Sequence, residues 1–114
     1  MPTASASHWF SQGPDRPWET VAPGVRRQVL TYDAALMMVK VAFEAGAVGT
    51  RHQHPHTQAC YVASGVFAVS IGEETRELRG GDTFHVPANE WHGVVCRQAG
   101  ELIDVFTPMR EDFV

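Results

Sequence analysis

Three histidines and a glutamine fall on alternate positions in the stretch His52-Gln-His54-Pro-His56-Thr-Gln58. Side chains two apart on an extended backbone point to the same side, so these four can converge wherever the chain stays extended. Imidazole nitrogens and an amide oxygen gathered in a protected interior are the donors that a divalent transition metal takes. A polar loop that happens to be rich in histidine is the plainer alternative. Against it, three of the chain's six histidines lie within the five residues from His52 to His56. By parity alone, His56 and Gln58 compete for the same place in such a set.

A second chemical feature lies near the end of the chain. Asp104 stands between Leu102 and Phe106 on one face of an apolar run, with Ile103 and Val105 on the other. A carboxylate within such a strand is costly to bury unless it is paired or used. Facing inward beside a metal, it would have its pKa raised towards the range useful for proton transfer. Pairing with an arginine for stability is the competing explanation. Arg110, just past this run, has the fork geometry that binds a carboxylate through two parallel hydrogen bonds. A solvated arginine is its alternative.

The elements that must position these residues are short strands. Val25–Tyr32 and Leu36–Glu44 alternate, with a turn at Asp33-Ala-Ala between them, and Met37, Val39, Val41 and Phe43 form one face. Ala59–Ala63 is a short apolar run closed by Ser64-Gly65, and Val66–Ile71 follows. Thr75–Arg79 is polar and reads as an edge strand. Thr83–Val86, Trp91–Cys96 and Glu101–Thr107 complete the set, with Gln98-Ala-Gly100 as a turn between the last two. Eight or nine short strands with frequent turns and no helical periodicity predict an all-β sandwich or barrel. Residues 1–20 read as an irregular lead-in, which Trp9, Phe10 and Trp18 would pin to a single domain over 21–114.

Composition narrows the function. Only 19% of residues are charged, the net charge is −4 and the basic residues are scattered, so nucleic acid is not an expected partner. No apolar run is long enough for a membrane span, and the first residues lack the pattern of a signal peptide. The cytoplasm is the expected compartment, with Cys60 and Cys96 reduced. Both cysteines share strand parity with site candidates and are expected in the interior, as packing rather than as thiolate ligands. His85 is expected either to line the pocket or to face the other sheet. Tyr61 and Trp91 are expected to be packing residues, and His8 to be exposed.

A fourth histidine completes a pattern. Gly46, His52, His54, Gln58 and Gly65 keep the spacing of the first cupin motif, with glutamine where glutamate is usual. Gly81, Pro87 and His92 keep that of the second, with Asn89 in place of its second glycine and Cys96 in place of its asparagine. The chain thus resembles the cupins, which implies a jelly-roll barrel of the double-stranded β-helix type. The resemblance also implies a divalent metal on His52, His54, Gln58 and His92, and leaves His56 as a neighbour or a substrate-facing group. Nickel, zinc, manganese, iron or cobalt would suit such ligands. Three imidazoles and an amide are all neutral. They leave the ion's charge uncompensated and favour an anionic oxygen ligand.

Residues 66–114, with Ile71-Gly-Glu-Glu-Thr, Gly81-Asp-Thr-Phe and the ending Asp104-Val-Phe106-Thr-Pro-Met-Arg110-Glu-Asp-Phe, are similar to the KdgF family of small pectin-degradation cupins. That resemblance extends over about residues 20–114. It implies conversion of 4,5-unsaturated monouronates, released from pectin or alginate, into linear 4-deoxy-5-keto uronates. Asp104, Phe106 and Arg110 are the implied functional residues, and a homodimer is the expected assembly. An iron-dependent dioxygenase and a non-catalytic sugar- or anion-binding cupin are the alternatives, because one fold hosts many chemistries.

Overall fold

The computed structural model describes residues 9–114. Eight strands follow one another: β1 (Glu19–Ala22), β2 (Val25–Asp33), β3 (Leu36–Phe43), β4 (Val48–His52), β5 (Thr57–Ile71), β6 (Glu74–Arg79), β7 (Thr83–Val86) and β8 (His92–Thr107). Two short 3-10 turns, Gly13–Asp15 and Glu111–Phe113, flank them. The all-β expectation holds. Among the described residues no helix is long and apolar enough to cross a membrane.

The spine is the antiparallel pair of β5 and β8, which runs from Thr57 opposite Thr107 to Ile71 opposite His92. Two of the expected turns do not end a strand. Ala59–Ala63 and Val66–Ile71 lie on one strand, and the expected Trp91–Cys96, which starts at His92, runs on into Glu101–Thr107 as another. Ser64-Gly65 and Gln98-Ala-Gly100 are bends within the ladder, where its register shifts repeatedly between Val62 and Phe67. Bulges bend a strand without ending its pairing, which is why turn residues here do not close a strand.

The bend divides the molecule into two layers. The first half of β5 and the second half of β8 lie with β3, β2, β1 and β7, in the order β1-β2-β3-β8-β5-β7. The other halves lie with β4 and β6, in the order β4-β8-β5-β6. β6 pairs with β5 alone and is largely exposed, an edge as its polar sequence predicts.

Alternation sorts the side chains. Cys60, Val62, Phe67, Val69, Cys96 and Leu102 point inward with Val25 and Phe43 to form the larger core cluster, where the rings of Phe43 and Phe67 meet edge to face. Met37, Val39 and Phe106 form the second cluster. Both cysteines are buried, as expected, and no bond joins them. Tyr61 and Trp91 are exposed instead of packed, and His85 faces outward.

The lead-in is anchored by polar groups, not by its aromatics. Trp9 and Phe10 are exposed, and Trp18 only stacks beneath Arg26. The buried Gln28 amide donates to the carbonyls of Gly13 and Arg16, and the buried Arg16 donates Nε to the Val29 carbonyl. His8 lies outside the described residues.

At the bend the two backbones nearly touch. A Cβ on Gly100 would collide with the Ser64 carbonyl, and one on Gly65 would lie 2.6 Å from the Gln98 oxygen. Gly65 also has φ +86, a conformation that glycine adopts without strain. Gly100→Ala is therefore expected to cost more than about 2 kcal/mol. Urea unfolding measures this, and a variant within about 0.5 kcal/mol of the parent would refute the close-contact account.

Candidate metal centre

Three histidines arrive from two elements. His52 ends β4, His92 begins β8, and the two residues are register partners. His54 sits in the loop between β4 and β5. The stretch 52–58 is thus not one extended strand: Pro55 has no amide hydrogen to add to a ladder, and pairing resumes only at Thr57. His52, His54 and His92 nevertheless converge, with donor atoms all within 4.8 Å of one another. The His52–His92 ring centres are 4.4 Å apart and the His54–His92 centres 4.8 Å.

Backbone carbonyls set the orientation of each ring. The Nδ1 atoms of His52, His54 and His92 lie 2.7, 3.0 and 2.9 Å from the carbonyls of Thr50, His56 and Glu90. A carbonyl only accepts, so each ring must carry its proton on Nδ1, which leaves the Nε2 lone pair free. His56 therefore acts on the site through its carbonyl, while its ring packs against His54 and Phe106. The second-motif departure also finds its reason. Asn89 has φ +66, the left-handed region where asparagine is tolerated in place of glycine, and its amide donates to the His54 carbonyl at 2.7 Å.

Gln58 enters from β5. Its Nε2 donates to Asp104 Oδ1 at 2.9 Å, which turns its oxygen towards His54 Nε2 at 3.1 Å. With the His54 proton on Nδ1, two acceptors face each other there. His92 Nε2 is buried with no hydrogen-bond partner. Such converging lone pairs are strained without a cation and satisfied by one. The residues present fit a divalent ion, with His52, His54, His92 and Gln58 as the group that could hold it. Among the described residues neither cysteine belongs to the cluster.

Burial favours the neutral form of His54 and His92. Desolvation is the main cause that lowers the His92 pKa from its ordinary 6.5 to about 4, and it lowers that of His54 in the same way, helped by the Arg110 charge. Asp104 moves the other way. Its buried carboxyl is pushed up by desolvation, against the opposing pull of hydrogen bonds from Cys60 and Gln58 and the charge of Arg110. Cys60, directly across the ladder from Asp104, is pushed up by burial and by that carboxylate.

A cavity of about 330 Å³ brings the candidates together. Its walls include His52, Gln58, His92, Asp104, Phe106 and Arg110. Arg110 reaches this wall, but its fork is already paired: Nε and Nη2 donate to the two oxygens of Asp112 at 3.1 and 2.9 Å. That bond holds the Asp112 carboxyl below its usual range. Asp112 was not legible as a site residue, although it stands two places from Arg110 on a chain that turns back on itself. The carbonyls of Thr50, His56 and Glu90 leave no mark in a sequence.

Fold and site together define a cupin. The family model described as a cupin domain matches residues 39–106, and the chain belongs to that family. Within it, the chain is similar to the pectin degradation protein KdgF of Dickeya dadantii (strain 3937), at 46% identity over 102 residues, covering 88% of this chain and 93% of that protein. The crystal structure of an RmlC-like cupin from Shewanella frigidimarina NCIMB 400 matches with a TM-score of 0.92 and 43% identity, over 96% of this chain and 99% of that one. KdgF from Halomonas sp. matches with a TM-score of 0.89 and 38% identity, over 94% and 99%.

Two expectations follow. After chelation, adding a divalent transition metal should raise the melting temperature by at least about 5 °C at saturation, and His92→Ala should abolish the rise. An equal shift in the variant would remove His92 from the ligand set. The second concerns pH. Between pH 6.5 and about 4 the unfolded chain takes up protons at residue 92 that the folded protein refuses. Stability of the metal-free protein should be full above pH 6.5 and fall as the pH drops towards 4. A melting temperature flat across that window would contradict the burial of His92.

Proposed function

We propose that this cupin is a metal-dependent enzyme that opens and ketonises 4,5-unsaturated monouronates released from pectin or alginate. The observation that carries the proposal is the relay from the histidine cluster through Gln58 to the buried Asp104, which shares one cavity with Phe106 and Arg110. Similarity to KdgF, named for pectin degradation, supports the substrate class.

The reaction asks little beyond moving protons. In the cyclic substrate the ring oxygen joins the hemiacetal C1 to the enol carbon C5. Loss of the C1 hydroxyl proton forms the aldehyde as the bond from C1 to the ring oxygen breaks, and that oxygen departs on C5 as an enolate. Protonation at C4 then leaves the C5 ketone. The proton lost equals the proton gained, so no oxidant, water or covalent intermediate is consumed.

A bound divalent ion would supply Lewis acidity for oxygens that gain negative charge. The chain's own residues do the rest. Asp104, its carboxyl held ready to carry a proton by burial, takes the proton from C1–OH and returns one to C4. Gln58 fixes that carboxyl by donating to Oδ1. Arg110, which lines the cavity with its guanidinium carbon 5.1 Å from the Phe106 ring centre, attracts the substrate carboxylate.

Asp104→Asn keeps the shape of the side chain and removes the proton carrier. Turnover, followed as loss of the ultraviolet absorbance of the conjugated enol ether, should fall at least about hundredfold while metal content is unchanged. Loss of metal in this variant would reassign Asp104 to structure. A parent protein that does not accelerate the reaction with metal restored would overturn the proposal.

A further inference from the structure

The cavity holds a second arginine that the proposed reaction leaves unused. Arg27, on β2, lines the same cavity as His52 and Asp104. Its guanidinium carbon lies over the Phe113 ring at 3.7 Å from the ring centre, and that of Arg110 lies over the same ring at 4.3 Å. Two like charges brought to one ring repel each other, so other interactions must hold them there.

Three interactions do so. The π face of Phe113 attracts both cations. Glu19, the register partner of Arg27 on β1, accepts from its Nε and Nη2 on a single oxygen, at 3.2 and 2.7 Å. Asp112 holds Arg110 through both oxygens. Both carboxylates reach water, with side chains 57% and 61% exposed, although Asp112 also borders the cavity, whereas the arginine side chains are only 16% and 12% exposed. Water around these counter-ions screens them, so they offset only part of the guanidinium charge. Among the described residues Nη1 of neither arginine makes a hydrogen bond. The protein thus spends two ion pairs and a ring on keeping two guanidiniums at the cavity wall.

We propose that Arg27 and Arg110, braced by Phe113, form a two-arginine clamp for the carboxylate of a small acidic ligand, in which Arg27 sets specificity for acid over neutral sugar. The clamp rests on the reading of the cavity as an acidic-sugar site, but not on the reaction proposed there. Arg27 is a binding residue, and Phe113 is a positioning residue that acts through both arginines.

The test uses the metal-loaded protein and three probes: glucuronate and glucose, measured by calorimetry, and the unsaturated monouronate, measured by turnover. The parent should prefer glucuronate to glucose. Arg27→Gln should weaken glucuronate binding by about tenfold to hundredfold and leave glucose unchanged. It should raise KM for the unsaturated monouronate by a similar factor, with kcat within about threefold. Phe113→Leu should lose the preference and Phe113→Tyr should keep it. Glu19→Gln removes the outer ion pair and spares the guanidinium, so it should retain the preference.

The clamp is overturned if the parent shows no preference for glucuronate, if Arg27→Gln retains it, or if Glu19→Gln loses as much as Arg27→Gln. A parent that prefers glucuronate but converts no unsaturated monouronate overturns the reaction and supports the clamp. Conversion with parental KM in Arg27→Gln overturns the clamp and supports the reaction.

Discussion

Everything in this molecule depends on one ladder that bends without breaking. β5 and β8 pair along their full lengths, yet Gln58 lies at one end of that ladder and His92 at the other. In a flat sheet those two residues would be more than ten residues apart along the strands and could not share a site. The fold-over at Gly65 and Gly100 lays the two ends face to face, so that Gln58 from one layer and His92 from the other line one cavity. Only glycine allows the backbones to approach this closely, because a Cβ on either residue strikes a carbonyl of the opposing strand.

Electrostatics inside the resulting cavity is built from separated roles. Among the groups that could hold a metal, Gln58 carries no charge and burial favours the neutral form of His54 and His92. The carboxyl is held one hydrogen bond behind them, where desolvation favours its protonated form. Positive charge is carried by guanidiniums on the wall, whose carboxylate partners are more than half exposed to solvent. The arrangement suits an anionic ligand: the guanidiniums on the wall attract it, a bound metal ion would add to that attraction, and burial raises the proton affinity of the Asp104 carboxyl.

Backbone groups perform much of the positioning. Three carbonyls choose the tautomer of three imidazoles, and the Asn89 amide fastens the loop that carries His54. Each of these carbonyls lies two residues from the histidine that it orients, so the local turn conformations are part of the site. His56 illustrates the point. Its side chain had the parity of a ligand, but its contribution to the cluster is its peptide carbonyl.

The amino-acid sequence by itself determined the β class, the inward faces of the strands and the cluster of donors. Those follow from alternation and residue type, which are local properties. Spacing also carried the pairing of His92 with the distant His52 group and favoured Gln58 over His56, through the resemblance it supports. The tertiary structure decided the rest. Ser64-Gly65 and Gln98-Ala-Gly100 look like turns because glycine serves a turn and a close crossing equally well, and only the partner strand distinguishes them. Trp9, Phe10, Tyr61 and Trp91 are exposed because apolar type does not ensure a place in a core. Asp112 and Arg27 join the cavity wall through contacts with Arg110 and Phe113 that no periodicity encodes. A residue's chemistry is written in the chain, but which neighbours it meets is settled by how the one long ladder folds over.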